Sequence, residues 1–110
     1  MIKQQITQWL TTSQHTSGTR LPLSHDAVLQ RQSRAGQDGV TLELNPLIYD
    51  ELWLQSLLRQ YHAQPEQFWC CKPFMSEKKT WCLWIELPSS GNVEQHVEQL
   101  LVMLTLAQLD

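Results

Sequence analysis

Apolar residues recur along this chain with two different spacings, and each spacing predicts a different kind of element. In residues 2–12 they stand three and four positions apart, which favours a short amphipathic helix. In residues 40–45 they alternate with polar residues, which is typical of a strand with one buried face. Between these segments, residues 13–26 are polar and loop-rich, and an edge strand is expected near 27–34. Pro22 excludes a central strand in the loop-rich part, because proline cannot donate a ladder hydrogen bond.

A second helix is predicted after the alternating strand, which itself follows a glycine-containing turn at 35–39. Asn45 before Pro46 suits a helix cap followed by a first-turn proline, and the acidic pair Asp50–Glu51 also suits a first turn. The helix should end near Pro65, which cannot continue it. The apolar positions of this helix are Tyr49, Trp53, Leu54, Leu57, Leu58 and Tyr61.

The last third of the chain predicts a hairpin and a closing helix. Phe68–Phe74 and Thr80–Leu87 are rich in aromatic and apolar residues, and the link between them is polar, so two paired strands are expected. Asn92 is placed to cap a helix with Gln95 at its third position, and this helix is apolar over a wide arc. The order α-β-β-(β)-α-β-β-α predicts a single α+β domain over 1–110, an antiparallel sheet with flanking helices.

The hairpin contains all three cysteines of the chain. If its turn is centred at 76–77, Cys71 lies opposite Cys82. Trp69 then lies opposite Trp84 on the same face of the sheet. Such cysteines could form a disulfide or redox pair, and a zinc site or a catalytic thiol are further alternatives. Neither ligand spacing nor a neighbouring base supports the last two, so the favoured interpretation is small buried side chains with free thiols.

Composition and charge restrict the possible functions. The 110 residues carry a formal net charge of −3, and their longest basic cluster is Lys78–Lys79, so binding to a nucleic-acid backbone is not expected. No run approaches the roughly 20 apolar residues of a membrane span, and no signal peptide is recognisable, so a reducing cytoplasm is the expected location. Histidines and carboxylates follow no catalytic or ligand spacing, and neither an enzyme nor a cofactor is expected.

From Val40 to the end, the chain resembles the small class I chaperones of bacterial type III secretion systems. The stretch VTLELNPLIYDELWLQSLLRQY is similar to the third strand, turn and central helix of that family. The stretch FWCCKPFMSEKKTWCLWIELP is similar to its last hairpin, and NVEQHVEQLLVMLTLAQLD to its closing helix. Those proteins follow the order helix, three strands, helix, two strands, helix. The first third departs from the family, since TTSQHTSGTRLPLSH is polar and contains Pro22.

The resemblance implies a non-enzymatic function in the bacterial cytoplasm. Members of the family bind the N-terminal segment of a secreted effector or regulator and keep it extended and secretion-competent, with strand addition at a sheet edge as one mode. They work as homodimers or as heterodimers of two small subunits. The implied dimer interface comprises Trp53, Leu54, Leu57, Leu58 and Tyr61. The implied client-binding residues, in the first helix and early strands, are Ile6, Trp9, Leu10, Val28 and Leu42.

Two alternatives to a secretion chaperone remain at this point. One is a small α+β adaptor or assembly subunit of a secretion apparatus without chaperone activity. The surplus apolar surface of the second helix and the hairpin fits both hypotheses, because each requires a protein partner. The other alternative is a small enzyme or thiol-active protein, which requires at least one of the cysteines to be chemically engaged.

Overall fold

The computed structural model describes residues 2–12, 18–24, 26–68, 70–88 and 91–107. The elements, in chain order, are α1 (Ile2–Thr12), β1 (Arg20–Ser24), β2 (Ala27–Arg34), β3 (Gln37–Leu44), α2 (Glu51–Ala63), α3 (Pro65–Phe68), β4 (Lys72–Met75), β5 (Trp81–Glu86) and α4 (Val93–Leu106). This α+β order agrees with the predicted one, with a full strand at β1 and the one-turn helix α3 in addition. The predicted loop at 13–17 and the predicted partner of Trp84, Trp69, lie outside the described residues.

The five strands form one antiparallel sheet in the order β1-β2-β3-β5-β4. Because β2 lies between β1 and β3, the prediction that residues 27–34 form an edge strand is wrong. The edge is β1 instead, inside the segment that was predicted to be loop, and an edge position is where a strand tolerates Pro22. The turn before β3 is shorter than predicted, since only Ala35 and Gly36 adopt positive φ, at 52° and 80°.

The helices cover one face of this sheet. Alternate residues of the three central strands, among them Leu29, Leu42 and Leu83, enter the same core as the buried faces of α1 and α4. The predicted cap of α4 is confirmed: Asn92 Oδ1 accepts from the Gln95 N–H at 2.9 Å, and Gln95 Oε1 accepts from the Asn92 N–H at 3.1 Å. The core therefore lies between the sheet and the α1–α4 pair, and the opposite sheet face carries no helix within the described residues.

Helix α2 stands apart from the sheet and packs against α3 and α4. Its cap is Asp50, whose carboxylate accepts from the Trp53 N–H at 3.0 Å, so the prediction of an Asn45 cap is wrong. Asn45 instead closes a turn, in which its side-chain Oδ1 accepts from the Leu47 N–H at 3.0 Å. The turn holds the segment 46–49 between β3 and α2, and Leu57 is the fully buried residue of α2.

The hairpin of β4 and β5 has a different register from the predicted one. Phe74 lies opposite Cys82, and Lys72 lies opposite Trp84, which is a shift of three residues. The shift follows from the turn, which spans Ser76–Thr80 with Lys79 at φ 62°; in addition, residues 65–68 form α3, so that β4 begins late. Because a shift by an odd number of residues places Cys71 and Cys82 on opposite faces of the sheet, the pairing that a turn centred at 76–77 would give does not form.

Both edges of the sheet carry a proline whose nitrogen points outward. On β1, the Thr19 carbonyl accepts from the Arg31 N–H at 2.9 Å, so alternation along the strand turns the nitrogen of Pro22 away from β2. On β4, the Ser76 N–H donates to the Thr80 carbonyl at 2.9 Å, and the same alternation turns the nitrogen of Pro73 away from β5. Each edge therefore lacks a donor where an added strand would need one.

Candidate functional site

The helix-free face of the sheet, called the open face below, is concave and mainly polar. It presents the residues that alternate with the core positions, and a hollow of about 650 Å³ lies on it. Strands β1 to β5 all contribute to the face, because successive side chains of each strand point to opposite sides. Residues that line this hollow are Arg20, Gln30, Gln32, Thr41, Glu43 and Cys82.

An aromatic pair at one end of the open face holds an arginine. The guanidinium carbon of Arg34 lies 4.1 Å from the centre of the Phe74 ring and 5.6 Å from that of Trp84. Attraction between the cation and the ring faces stabilises this arrangement. Trp84 is only 8% exposed although no helix covers it, so the neighbouring side chains on the sheet bury its ring.

The sheet itself makes room for this ring at a glycine. A Cβ built on Gly39 would lie 2.5 Å from Cζ2 of Trp84 and 2.5 Å from the carbonyl oxygen of Ile85. Only a residue without a side chain therefore lets the indole lie flat across β3. Gly39 thus leaves room for the Trp84 ring, and this ring in turn packs against the guanidinium of Arg34. We call this arrangement, together with Phe74, the Arg34 stack.

The floor of the hollow contains polar groups that are already engaged. The Thr41 hydroxyl lies 2.7 Å from Gln32 Oε1, to which it donates. Cys82 donates its thiol proton to the Thr80 carbonyl oxygen at 3.7 Å. Burial raises the pKa of the Cys82 thiol above its usual value, which keeps the group protonated at neutral pH. Cys82 is therefore poorly suited to act as a nucleophile.

Cys70 and Cys71 differ from each other although they are adjacent. Cys71 is fully buried in the helix-side core, whereas Cys70 is half-buried at the turn before β4. A hydrogen bond from the Cys71 thiol lowers the pKa of Cys70 to about 7, and the same bond raises the pKa of Cys71. All three cysteines have free thiols.

The residues predicted for a dimer interface are not equally accessible. Leu57 is 2% exposed and belongs to the core. The other four predicted positions are half-buried; Trp53, Leu58 and Tyr61 pack against the core, and Leu54 is the fourth. The most exposed apolar residues lie beside them, at the start of α2 and in the preceding turn. They are Leu47 at 88%, Leu52 at 73% and Ile48 at 57% exposure, and we call these three residues the apolar ledge.

The residues predicted to bind a client lie mostly inside the protein. Four of them are fully or almost fully buried in the core: Ile6, Trp9, Leu10 and Leu42. Val28 differs from them, since it is half-buried and alternates with the core residues of β2. Among the predicted positions, only Val28 is thus placed toward the open face. Among the described residues, the buried indole N–H of Trp9 has no hydrogen-bond partner, which is uncommon for a buried tryptophan.

Sequence reasoning missed both the ledge and the Arg34 stack. In the sequence, the three residues of the ledge flank the acidic pair Asp50–Glu51. The prediction considered only the periodic apolar positions of the helix, and the ledge is not among them. The stack could not be read from the sequence, because it joins residues of four strands whose register was unknown.

Within the described residues, no cluster of three or more potential ligand side chains could hold a metal ion. Those residues also include no helix with the length and apolar content needed to cross a bilayer. Comparison with known families, curated proteins and solved structures finds no match to this chain.

Proposed function

We propose that this chain is a non-enzymatic cytoplasmic chaperone that holds the N-terminal segment of a secreted client in extended form. The proposal develops the resemblance to class I type III secretion chaperones. It is supported by the agreement between the order of elements in this chain and the order implied by the resemblance: one helix, three strands, a central helix, two strands and a closing helix.

The observation that carries the proposal is the uncovered apolar surface beside α2. Leu47 and Leu52 are 88% and 73% exposed, and half-buried aromatic residues continue the surface along the helix. Surface of this kind on a small domain is costly in water and marks a contact with another polypeptide. We assign the ledge and the adjoining stripe of α2 to the dimer contact, either with a second copy or with a second small subunit.

The open face is the surface that we assign to the client. It is concave, it is uncovered by helices, and it combines aromatic and polar side chains. The outward prolines at Pro22 and Pro73 oppose strand addition, so we expect client side chains, rather than a continued hydrogen-bond ladder, to provide most of the contact. Binding of this kind shifts the client toward its extended form by mass action and needs no nucleotide.

The experiment that tests the function begins with a tagged copy of the chain expressed in its native bacterium. Proteins that co-purify are identified, and the N-terminal segment of the candidate client is then produced alone and with the chain. A chaperone should protect this segment from limited proteolysis and leave it without stable tertiary structure. A partner that binds as a folded domain, with no protection of an extended segment, would favour the adaptor function instead.

A further inference from the structure

The exposed residue Arg34 packs on two aromatic rings, and no ion pair within the described ranges involves it. Its guanidinium packs on the rings of Phe74 and Trp84, with 4.1 Å and 5.6 Å between the guanidinium carbon and the ring centres. Stacking occupies the flat faces of the guanidinium, so the N–H groups at its rim remain directed into the surrounding space. A rim of this geometry matches the two oxygens of a carboxylate.

No carboxylate of the described residues fills that position. The ion pairs within the described ranges join Lys3 to Glu98 and Arg31 to Asp38, and neither involves Arg34. Arg34 lines both the large hollow and an adjoining hollow of about 360 Å³, in which Lys72 adds a second positive charge and Glu86 a negative one. Elsewhere in the large hollow, Glu43 and Glu77 are matched in charge by Arg20 and Lys78, so the surplus positive charge, and the favoured position for a further carboxylate, is at the Arg34 end.

The two hollows lie next to each other on the open face, because Arg34 and Phe74 line both of them, and together we call them the track. A track of this size accommodates several residues of an extended chain, which advances by about 3.3 Å per residue. A free anion could contact the guanidinium alone, whereas a polypeptide could also contact the polar groups along the strands. Gln30 and Gln32, which line the large hollow, are examples of such groups. The surface therefore suits a polypeptide better than a free anion.

We propose that Arg34, held between Phe74 and Trp84, anchors an aspartate or glutamate side chain of an extended polypeptide segment that lies across the open face. The proposal rests on the proposed function in one respect only, namely that the segment belongs to the secreted client. The stack positions the guanidinium before binding, which reduces the entropy lost when the ion pair forms.

The test uses two synthetic probes that differ in one group: the peptide acetyl-TVEVT-amide and its neutral counterpart acetyl-TVQVT-amide. Each is titrated into the full chain, and the chemical shifts of the Arg34 side-chain N–H and the Trp84 indole N–H give the dissociation constant. We expect the acidic peptide to bind about tenfold more tightly than the neutral one, because one charge-assisted hydrogen bond contributes a binding free energy of that order.

Three variants give the measurement its controls. Arg34→Gln should remove the preference for the acidic peptide, and Arg34→Lys should retain only part of it, because lysine keeps the charge but lacks the planar rim. Arg59→Gln makes the same charge change at an exposed position of α2 and should leave the preference intact. Unfolding curves of the variants establish that each one is folded.

Several results would overturn the proposal. These are equal binding of the two peptides, binding of neither, or an equal effect of the Arg34 and Arg59 substitutions. Complete displacement of the acidic peptide by an equal concentration of inorganic phosphate would indicate a site for free anions instead. None of these results depends on a secreted client, whereas failure of the protease-protection experiment alone would reject the chaperone function and leave the Arg34 site standing.

Discussion

Arg31 and Asp38 form an ion pair between β2 and β3 on the helix side of the sheet, and Arg31 also donates to the first helix. Arg31 Nη2 lies 2.9 Å from Asp38 Oδ2, and Nη1 of the same guanidinium donates to the carbonyl oxygen of Leu10 at 3.4 Å. Arg31 is 5% exposed, so the carboxylate of Asp38 is the charge that balances a buried cation. The last turn of α1 is thereby held against β2 by a polar contact at the margin of an apolar core.

Replacement of Asp38 by asparagine should therefore destabilise the protein. We expect a loss of about 1 kcal/mol in the free energy of unfolding, a discounted value because the Asp38 side chain is half-exposed. Urea unfolding measures this loss. Lys3→Gln is the matched control, because it removes an exposed ion pair of 3.7 Å and should change stability by less than about 0.5 kcal/mol. Equal losses in the two variants would contradict the role given to Asp38.

Replacement of Gly39 by alanine should displace the Trp84 ring. The new Cβ would lie 2.5 Å from Trp84 Cζ2, a distance at which the ring or the strand must move. We expect a cost of about 2 kcal/mol, within the range known for overpacked sites, together with loss of the preference for acidic peptides. In a Trp84→Leu background the same substitution should cost less, and a double-mutant cycle by urea unfolding measures the difference. Full additivity would show that the ring is not the obstacle.

Replacement of Leu52 by aspartate should dissociate the proposed dimer without unfolding the subunit. Leu52 is 73% exposed, so a carboxylate there is solvated in the monomer but would be buried in the contact assigned to the ledge. Sedimentation at several concentrations gives the dissociation constant, and Gln55→Asp, at an exposed position of the same helix, is the control. Leu57→Asp is unsuitable for this purpose, because that side chain is 2% exposed and its replacement should unfold the core.

Cys70 should be the first thiol to react with iodoacetamide. Its pKa is lowered to about 7, so the reactive thiolate predominates above that pH and is lost as the pH falls through it. The raised pKa of Cys71 and its complete burial should protect the neighbouring thiol. Mass spectrometry of peptides alkylated between pH 5 and pH 9 gives the profile. Cys71→Ala removes the hydrogen bond and should move the midpoint for Cys70 to higher pH; an unchanged midpoint would exclude this cause.

The sequence pattern predicted the order of the elements other than β1 and α3, because most of these elements have a strong local signal. The capping pair Asn92 and Gln95 marked the start of α4, and the alternation from Val40 to Leu44 marked most of β3. These signals arise from contacts within a few residues along the chain, and tertiary packing did not override them.

The pattern failed where the structure depends on contacts between distant segments. The hairpin register follows from the five-residue turn Ser76–Thr80, in which the two hydroxyl oxygens lie 2.6 Å apart and Lys79 adopts φ 62°. Lysine gives no local indication of that conformation. The burial of Trp9 likewise depends on α4, which closes over α1 from the other end of the chain, so a residue that was expected to contact a client is part of the core.

The prolines at the two margins of the sheet also affect how this chain behaves at high concentration. Fibrils grow when the outermost strand of one molecule receives a strand from the next, with every backbone group bonded. At Pro22 and at Pro73, an incoming strand would find a ring instead of a donor. We therefore expect the protein to accumulate with little tendency for stacked sheets to seed an aggregate.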